Sequence, residues 1–415
     1  MLAILTPHAL SGRVAAPSSK SQAHRLLICA ALADTQTEIL CPARSADIDA
    51  TADCLRALGA EIQYKNGSFG VRPMRADRPG GVLPCRESGS TLRFLLPVAA
   101  ALASLCIGRM GLPLGEVLRG IGAALGLDVT LADGTEQILW TIRMPRILLA
   151  LLVGAGLSVS GCAFQSLFAN PLATPDTLGV ASGASFGAAL ALLMGWHLLG
   201  VQALALVCGI GAVALTWLSV AGRDRTNSTV ILAGIMVGSW FSALVSLVKL
   251  AADTESQLPA ITYWLMGSFN SAGYSSLAQG APPILLGMLV LYLLRWRLNI
   301  LPLSEDEARA SGTDVRLLRG ITVLCATAIT ASCVSMCGQV GWVGLLVPHM
   351  CRMKFGNNHL ALVPASACVG AAFMVAVDTL ARSISSAQIP VSALTAVIGA
   401  PFFIALVRKT GGWRL

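Results

Sequence analysis

Between Arg146 and Asn170 the residues 147–168 run without a charge. As a helix such a run is about 33 Å long, enough to cross a hydrocarbon core of about 30 Å. The uncharged stretch from Thr177 to Gly222 is too long for one crossing and is divided by Gly195-Trp196-His197, which predicts helices over about 178–195 and 199–220. Later apolar segments predict a span over 226–248, a short helix after Pro259, and a full span at about 280–298. Further spans are predicted at about 320–337, 341–351, 359–380 and 389–407. Upstream, the uncharged residues between Arg93 and Arg109 are few for a crossing and are interrupted by Pro97, so 94–108 is either a short, strained span, which leaves the preceding residues cytoplasmic, or no span, in which case nine crossings put them outside.

The polar connections give these spans a direction. If residues 299–319, the longest polar segment of this part, are cytoplasmic, alternation puts Arg223, Arg225, Arg352, Lys354, Arg408, Lys409 and Arg414 on the same side. That is the distribution the positive-inside rule expects. Arg143, Arg146, Lys249 and Arg382 are left outside as exceptions, and so as candidates for function. Gly183 and Gly187, Gly234 and Gly238, and the series Gly338, Gly341, Gly344 let helix backbones approach closely, which predicts a packed bundle. Asp378 and His349, in or beside spans, are open to two readings: a proton relay, or helix capping and hydrogen bonding inside the bundle.

Composition adds a boundary. The chain is 55% hydrophobic and 12% charged, with a mean hydropathy of +0.72, outside the range of soluble globular proteins. Charge density falls from about 18% over residues 1–103 to about 10% over 104–415, so two kinds of chain are joined. Residues 1–30 have early charges and no cleavable apolar segment, so internal spans are expected to drive insertion. None of the 12 cysteines forms a Cys-x-x-Cys pair, which argues against a zinc site or a redox pair. The net charge of +8 sits in short loops between spans rather than in a stripe, which argues against nucleic acid as a partner. Gly154-x-Gly156 lies in mid-span with no strand before it and is not a dinucleotide fingerprint.

Over 104–415 the motifs Arg143-Met-Pro-Arg146, the VGAGLSVSG run with Gln165, Asn170-Pro171-Leu172-Ala173, the SEDEARASG loop, Gly344-Leu-Leu-Val-Pro348-His349 and Ile398-Gly399-Ala400-Pro401 resemble the FecCD-type permeases. These are membrane subunits of ABC importers for ferric siderophores, haem and cobalamin. The resemblance implies a mainly α, polytopic helical permease of nine to ten spans in the cytoplasmic (inner) membrane. It also implies a second permease subunit, most simply in a homodimer with the pathway at the interface, a cytoplasmic ABC ATPase and an extracytoplasmic solute-binding protein. No lysine follows a glycine, so the chain has no phosphate-binding loop of its own; ATP is expected to be used by the partner, with no cofactor or metal held here. By the resemblance, Arg143, Arg146 and Arg382 meet acidic residues of the binding protein, although they could equally serve as helix-end anchors. The loop bearing Glu305, Asp306, Glu307 and Arg309, closed by Gly312, is expected to sit in a groove of the ATPase; its alternative is a solvated connection.

Residues 1–103 contain Pro17-Ser18-Ser19-Lys20-Ser21-Gln22-Ala23-His24-Arg25 and Glu87-Ser88-Gly89-Ser90-Thr91-Leu92-Arg93, similar to the N-terminal part of 3-phosphoshikimate 1-carboxyvinyltransferase, the EPSP synthase. The resemblance assigns Lys20, Ser21 and Arg25 to a phosphorylated shikimate and Gly89 to phosphoenolpyruvate. That enzyme places its site in a cleft between two domains, and only a truncated α/β fragment is present. Ligand residues without the closing lobe are not expected to catalyse. The join near Leu95 to Ala103 has no flexible linker, unlike fusions of whole domains.

Overall fold

The structure is a computed structural model that describes residues 20–32, 35–42, 45–73, 89–108, 111–124, 134–220, 227–303, 307–308, 312–384 and 389–409. The chain divides into two compact units, 1–92 and 93–415.

The first unit is a small α/β layer. Helix α1 (Lys20–Leu32) and helix α2 (Ala46–Ala57) accompany a three-stranded sheet of β1 (Thr37–Leu40), β2 (Glu61–Lys65) and β3 (Ser68–Arg72). The strand order is β1-β3-β2, antiparallel throughout, with Thr37 opposite Val71 and Lys65 opposite Ser68. Asn66 and Gly67 both take positive φ, the backbone that a two-residue hairpin turn requires, so this Asn-Gly pair joins β2 to β3. Ser45 caps α2 by accepting from the Ile48 amide. Leu27, Ile48, Leu55, Ile62, Phe69 and Val71 are buried, and His24 Nδ1 pairs with Thr51 Oγ1 at 2.6 Å to join the two helices.

Helix α3 (Gly89–Cys106) and the amphipathic α4 (Leu114–Ala124) precede the second unit's bundle. A π-helical stretch, Gln137–Arg143, runs without a break into α5 (Met144–Leu167). Then come α6 (Val180–Leu193), α7 (Leu198–Ser219), α8 (Asn227–Ala251), the short α9 (Gln257–Leu265) and α10 (Tyr274–Leu293). The last four are α11 (Val315–Cys337), α12 (Val343–Phe355), α13 (His359–Ile384) and α14 (Val391–Lys409). Among the described residues six helices are long and apolar enough to cross a membrane: α5 with its π-helical start, α7, α8, α10, α11 and α13. Three apolar helices are shorter: Leu95–Cys106 within α3, α6, and Val391–Ile404 within α14.

Helix α5 is the axis of this unit. Every residue from Val153 to Leu167 except Ala155 is buried, four serine and glutamine side chains included. Its neighbours come close because both partners lack side chains at the contact. A Cβ added to Gly154 would run into the Gly370 carbonyl of α13, and one added to Gly161 would run into the Gly344 carbonyl of α12. In the α6–α7 hairpin, added carbons at Gly183 and Gly187 would stand 2.7 Å from the Cys208 carbonyl and 2.5 Å from that of Leu204. With no hydrophobic drive between helices in lipid, dispersion across such contacts holds the bundle together. Buried hydroxyls add cross-links: Ser160 to Thr330 at 2.9 Å, and Ser332 to the Gly280 carbonyl at 2.7 Å.

Several boundaries differ from expectation. The span expected at 280–298 begins at Tyr274 and carries Pro282 and Pro283 in its interior; Ser332 of α11 donates to the Gly280 carbonyl beside them. The segment expected at 320–337 starts at Val315 because Asp314 accepts from the Arg316 and Leu317 amides and caps it. The apolar part of α3 is shorter than a crossing, so 94–108 is not among the helices long enough to span.

Replacing Gly370 by leucine is expected to force α13 away from α5 and to lower stability by about 1–3 kcal/mol, read as a reduced melting temperature of the purified protein. A side chain placed at Gly320, which has open space around it, should leave the melting temperature unchanged.

Candidate functional site: an arginine cluster at one end of the bundle

Pro145 stands at the second position of α5, just past the π-helical stretch Gln137–Arg143 that leads into it. π-Helical segments concentrate at functional sites. Arg143, Arg146 and Arg382 come together here although the first two are more than 230 positions from the third. Asp378 of α13, 1% exposed, lies between Arg146 and Arg382.

Arg146 reaches both oxygens of that carboxylate, with Nε at 2.9 and 3.1 Å and Nη2 at 2.8 Å. Its Nη1 donates to Asn270 Oδ1 at 2.9 Å, and the Asn270 amide in turn donates to the Tyr263 hydroxyl on α9. Arg382, one turn beyond Asp378, holds its Nε 3.7 Å from Asp378 Oδ2 and donates to the Ser104 carbonyl. Arg143, buried at 4% exposure, donates to the Leu105 carbonyl. Both carbonyls belong to the last turn of α3, where backbone acceptors lack helical partners and the helix dipole favours a cation. Two arginines therefore cap α3 while the third is paired with Asp378. A buried carboxylate flanked this way adds little net stability, but it fixes where the guanidinium groups stand.

At the opposite end a polar group joins α5, α13 and the turn Arg297–Ile300. Asn299 Oδ1 accepts from the His359 amide at 2.9 Å and pairs with His359 Nδ1 at 2.8 Å, while the other ring nitrogen meets Ser166. The next segment carries Glu307, which is exposed, and Gly312, whose φ of +71° suits only glycine well. Glu305, Asp306 and Arg309 lie outside the described residues. In the first unit Lys20 opens α1, with Ser21 and Arg25 in the same helix, and Gly89 opens α3; the side chains of Lys20, Ser21 and Arg25 are outside the description. Among the described residues no group of three His, Cys, Asp or Glu is placed to hold a metal ion.

The expectation singled out all three external arginines but treated Asp378 apart from them, and it did not anticipate Ser104, Asn270, Tyr263, Asn299 or His359. The one available signal was a carboxylate four residues before Arg382 in an otherwise apolar span.

A bundle of apolar helices around a buried axis, charged at its ends, is the architecture of a multi-pass membrane permease. Residues 95–409 match the FecCD transport family, and the chain belongs to it. The molybdate import system permease protein MolB of Haemophilus influenzae is 43% identical over 319 residues, 76% of this chain and 94% of that one. The vitamin B12 import system permease protein BtuC of Klebsiella pneumoniae is 34% identical over 327 residues, 77% of this chain and 92% of the relative. A solved ABC transporter described as of metal-chelate type, in an inward-facing conformation, is 41% identical with a TM-score of 0.69, covering 76% of this chain and 97% of that one. Residues 4–118 match the EPSP synthase family, 3-phosphoshikimate 1-carboxyvinyltransferase, over its N-terminal stretch. The chain is thus an ABC-importer permease of the inner membrane and not an enzyme.

Pairing between Arg146 and Asp378 is expected to appear as non-additivity. Arg146→Met and Asp378→Asn each lower the melting temperature, and the double variant is less stable than wild type by about 1–3 kcal/mol less than the sum of the two. Additive losses would contradict the ion pair.

Proposed function

We propose that this permease imports a metal-centred solute, a ferric siderophore, haem, cobalamin or molybdate, handed over by an extracytoplasmic solute-binding protein. A separate cytoplasmic ATPase supplies the energy, and two copies of the chain line the pathway. The observation that carries this reading is the family match over 95–409, which takes in almost the whole helical unit and brings the arginine cluster with it. The named relatives support the range of solutes, with molybdate joining the chelates and cobalamin through the relative at 43% identity. The six long apolar helices support a polytopic permease.

Arg143, Arg146 and Arg382 receive acidic side chains of the binding protein. Charges at the rim of such a contact steer the encounter and fix its orientation. At the other end, Glu307 and Gly312, with Glu305, Asp306 and Arg309, form the contact with the ATPase. The Asn299–His359–Ser166 group ties the turn that precedes that segment in the chain to α5 and α13 and is suited to transmit its movement. Lys20, Ser21, Arg25 and Gly89 are remnants of a phosphate-binding surface with no opposing lobe.

In vesicles carrying permease and ATPase, Arg146→Glu is expected to abolish binding-protein-dependent uptake while the protein still inserts in the membrane; unchanged uptake would remove the docking role. Glu307→Arg is expected to leave binding-protein affinity intact and to uncouple ATP hydrolysis from uptake by about tenfold or more, the size of a typical coupling energy. Hydrolysis and uptake that stay coupled in this variant would show the loop to be a mere connection.

A further inference from the structure

The cluster contains an acceptor already shared and a donor still waiting. Asp378 gives both oxygens to Arg146, while the Nε of Arg382 is buried without a hydrogen-bond partner and stands 3.7 Å from Asp378 Oδ2. If Arg146 turned outward, Arg382 could close that gap, and the buried carboxylate would not be left alone. Two arrangements of the same charges are therefore available, which is what a switch requires. Arg146 is suited to leave: 13% of its side chain remains exposed, whereas Arg382, 11% exposed, is also held by the Ser104 carbonyl. Its departure also has a consequence elsewhere, because the same guanidinium holds Asn270, and Asn270 holds Tyr263 on α9. The remainder of the segment after α9 is fixed independently, by the Ser268 amide on the Cys337 carbonyl at 2.8 Å and the Val391 amide on the Gly267 carbonyl at 3.0 Å. Loss of the Arg146 contact thus loosens α9 without detaching the loop that follows it.

Building on the docking role of the arginines, we propose that Asp378 is a positioning residue that competes with the docking partner. It holds Arg146 until a carboxylate of the binding protein takes that guanidinium, Arg382 then replaces Arg146 on Asp378, and the exchange is relayed through Asn270 and Tyr263 to α9. An internal competitor lowers the affinity of docking, and in return docking is coupled to a change in the permease.

The test uses the purified importer complex in lipid nanodiscs, with its solute-binding protein as the probe. Asp378→Asn is expected to raise affinity for that protein by about tenfold, because the competing charge is gone, and Asp378→Glu to restore the wild-type value. A residue that merely supports the fold would give the opposite sign, so unchanged or weakened binding by well-folded Asp378→Asn overturns the proposal. Asn270→Ala and Tyr263→Phe keep Asp378 and the arginines in place; they should bind the partner as wild type does but lose at least about fivefold of its stimulation of ATP hydrolysis. Full stimulation in both overturns the relay, and this arm stands even if Asp378→Asn does not assemble. The docking role itself is read separately: if Arg146→Glu binds the partner normally, that role fails, whereas lost binding in Arg146→Glu with no gain in Asp378→Asn removes only the part given to Asp378.

Discussion

Close approach of helix backbones around α5 is the constraint on which the membrane unit depends. In lipid an exposed leucine has nothing to gain from touching another leucine, so association rests on dispersion and hydrogen bonds between surfaces that can come near enough. Gly154 against Gly370 and Gly161 against Gly344 supply that nearness to α13 and to α12. Once α13 lies against α5 along its length, their ends are set: Arg146 meets Asp378 at one end and Ser166 meets His359 at the other. Both polar ends are consequences of one antiparallel contact.

The charges at those ends have different partners. The arginines turn to a buried carboxylate and to the last carbonyls of α3, so their positions are fixed from inside the bundle. The polar group of Asn299, His359 and Ser166 carries no ion pair among its members and ties a connecting turn to two long helices. The two ends are thus built differently, the first from guanidinium groups oriented by a carboxylate and backbone carbonyls, the second from hydrogen bonds among uncharged partners.

Much of the helical order is legible in the sequence because uncharged runs and polar breaks follow directly from the cost of placing charge in hydrocarbon. The limits of α6, α7 and α8 fall within a few residues of the apolar pattern, and the glycine pairs at 183 and 187 sit at contacts, as their spacing implies. Gly341, of the same pattern, faces open space, since spacing alone does not say which face meets a neighbour. The starts of α10 and α11 were harder to see: α10 continues through two interior prolines, and α11 begins at a single capping aspartate. The cluster is the clearest case of partial legibility. Its arginines stand out as external exceptions to a charge rule, yet nothing in the linear order says that Asp378 joins two of them or that Asn270 leads to Tyr263. Those are tertiary facts, and so is the shielding of Arg143 by the end of α3.

Uptake of labelled solute into sealed vesicles containing this chain and its ATPase, with the binding protein outside and ATP within, tests the account most directly. The account predicts accumulation against a gradient for one of molybdate, a ferric chelate, haem or cobalamin, requiring both partners and ending when ATP is withdrawn. Vesicles that take up none of them with both partners present and ATP hydrolysed would contradict it.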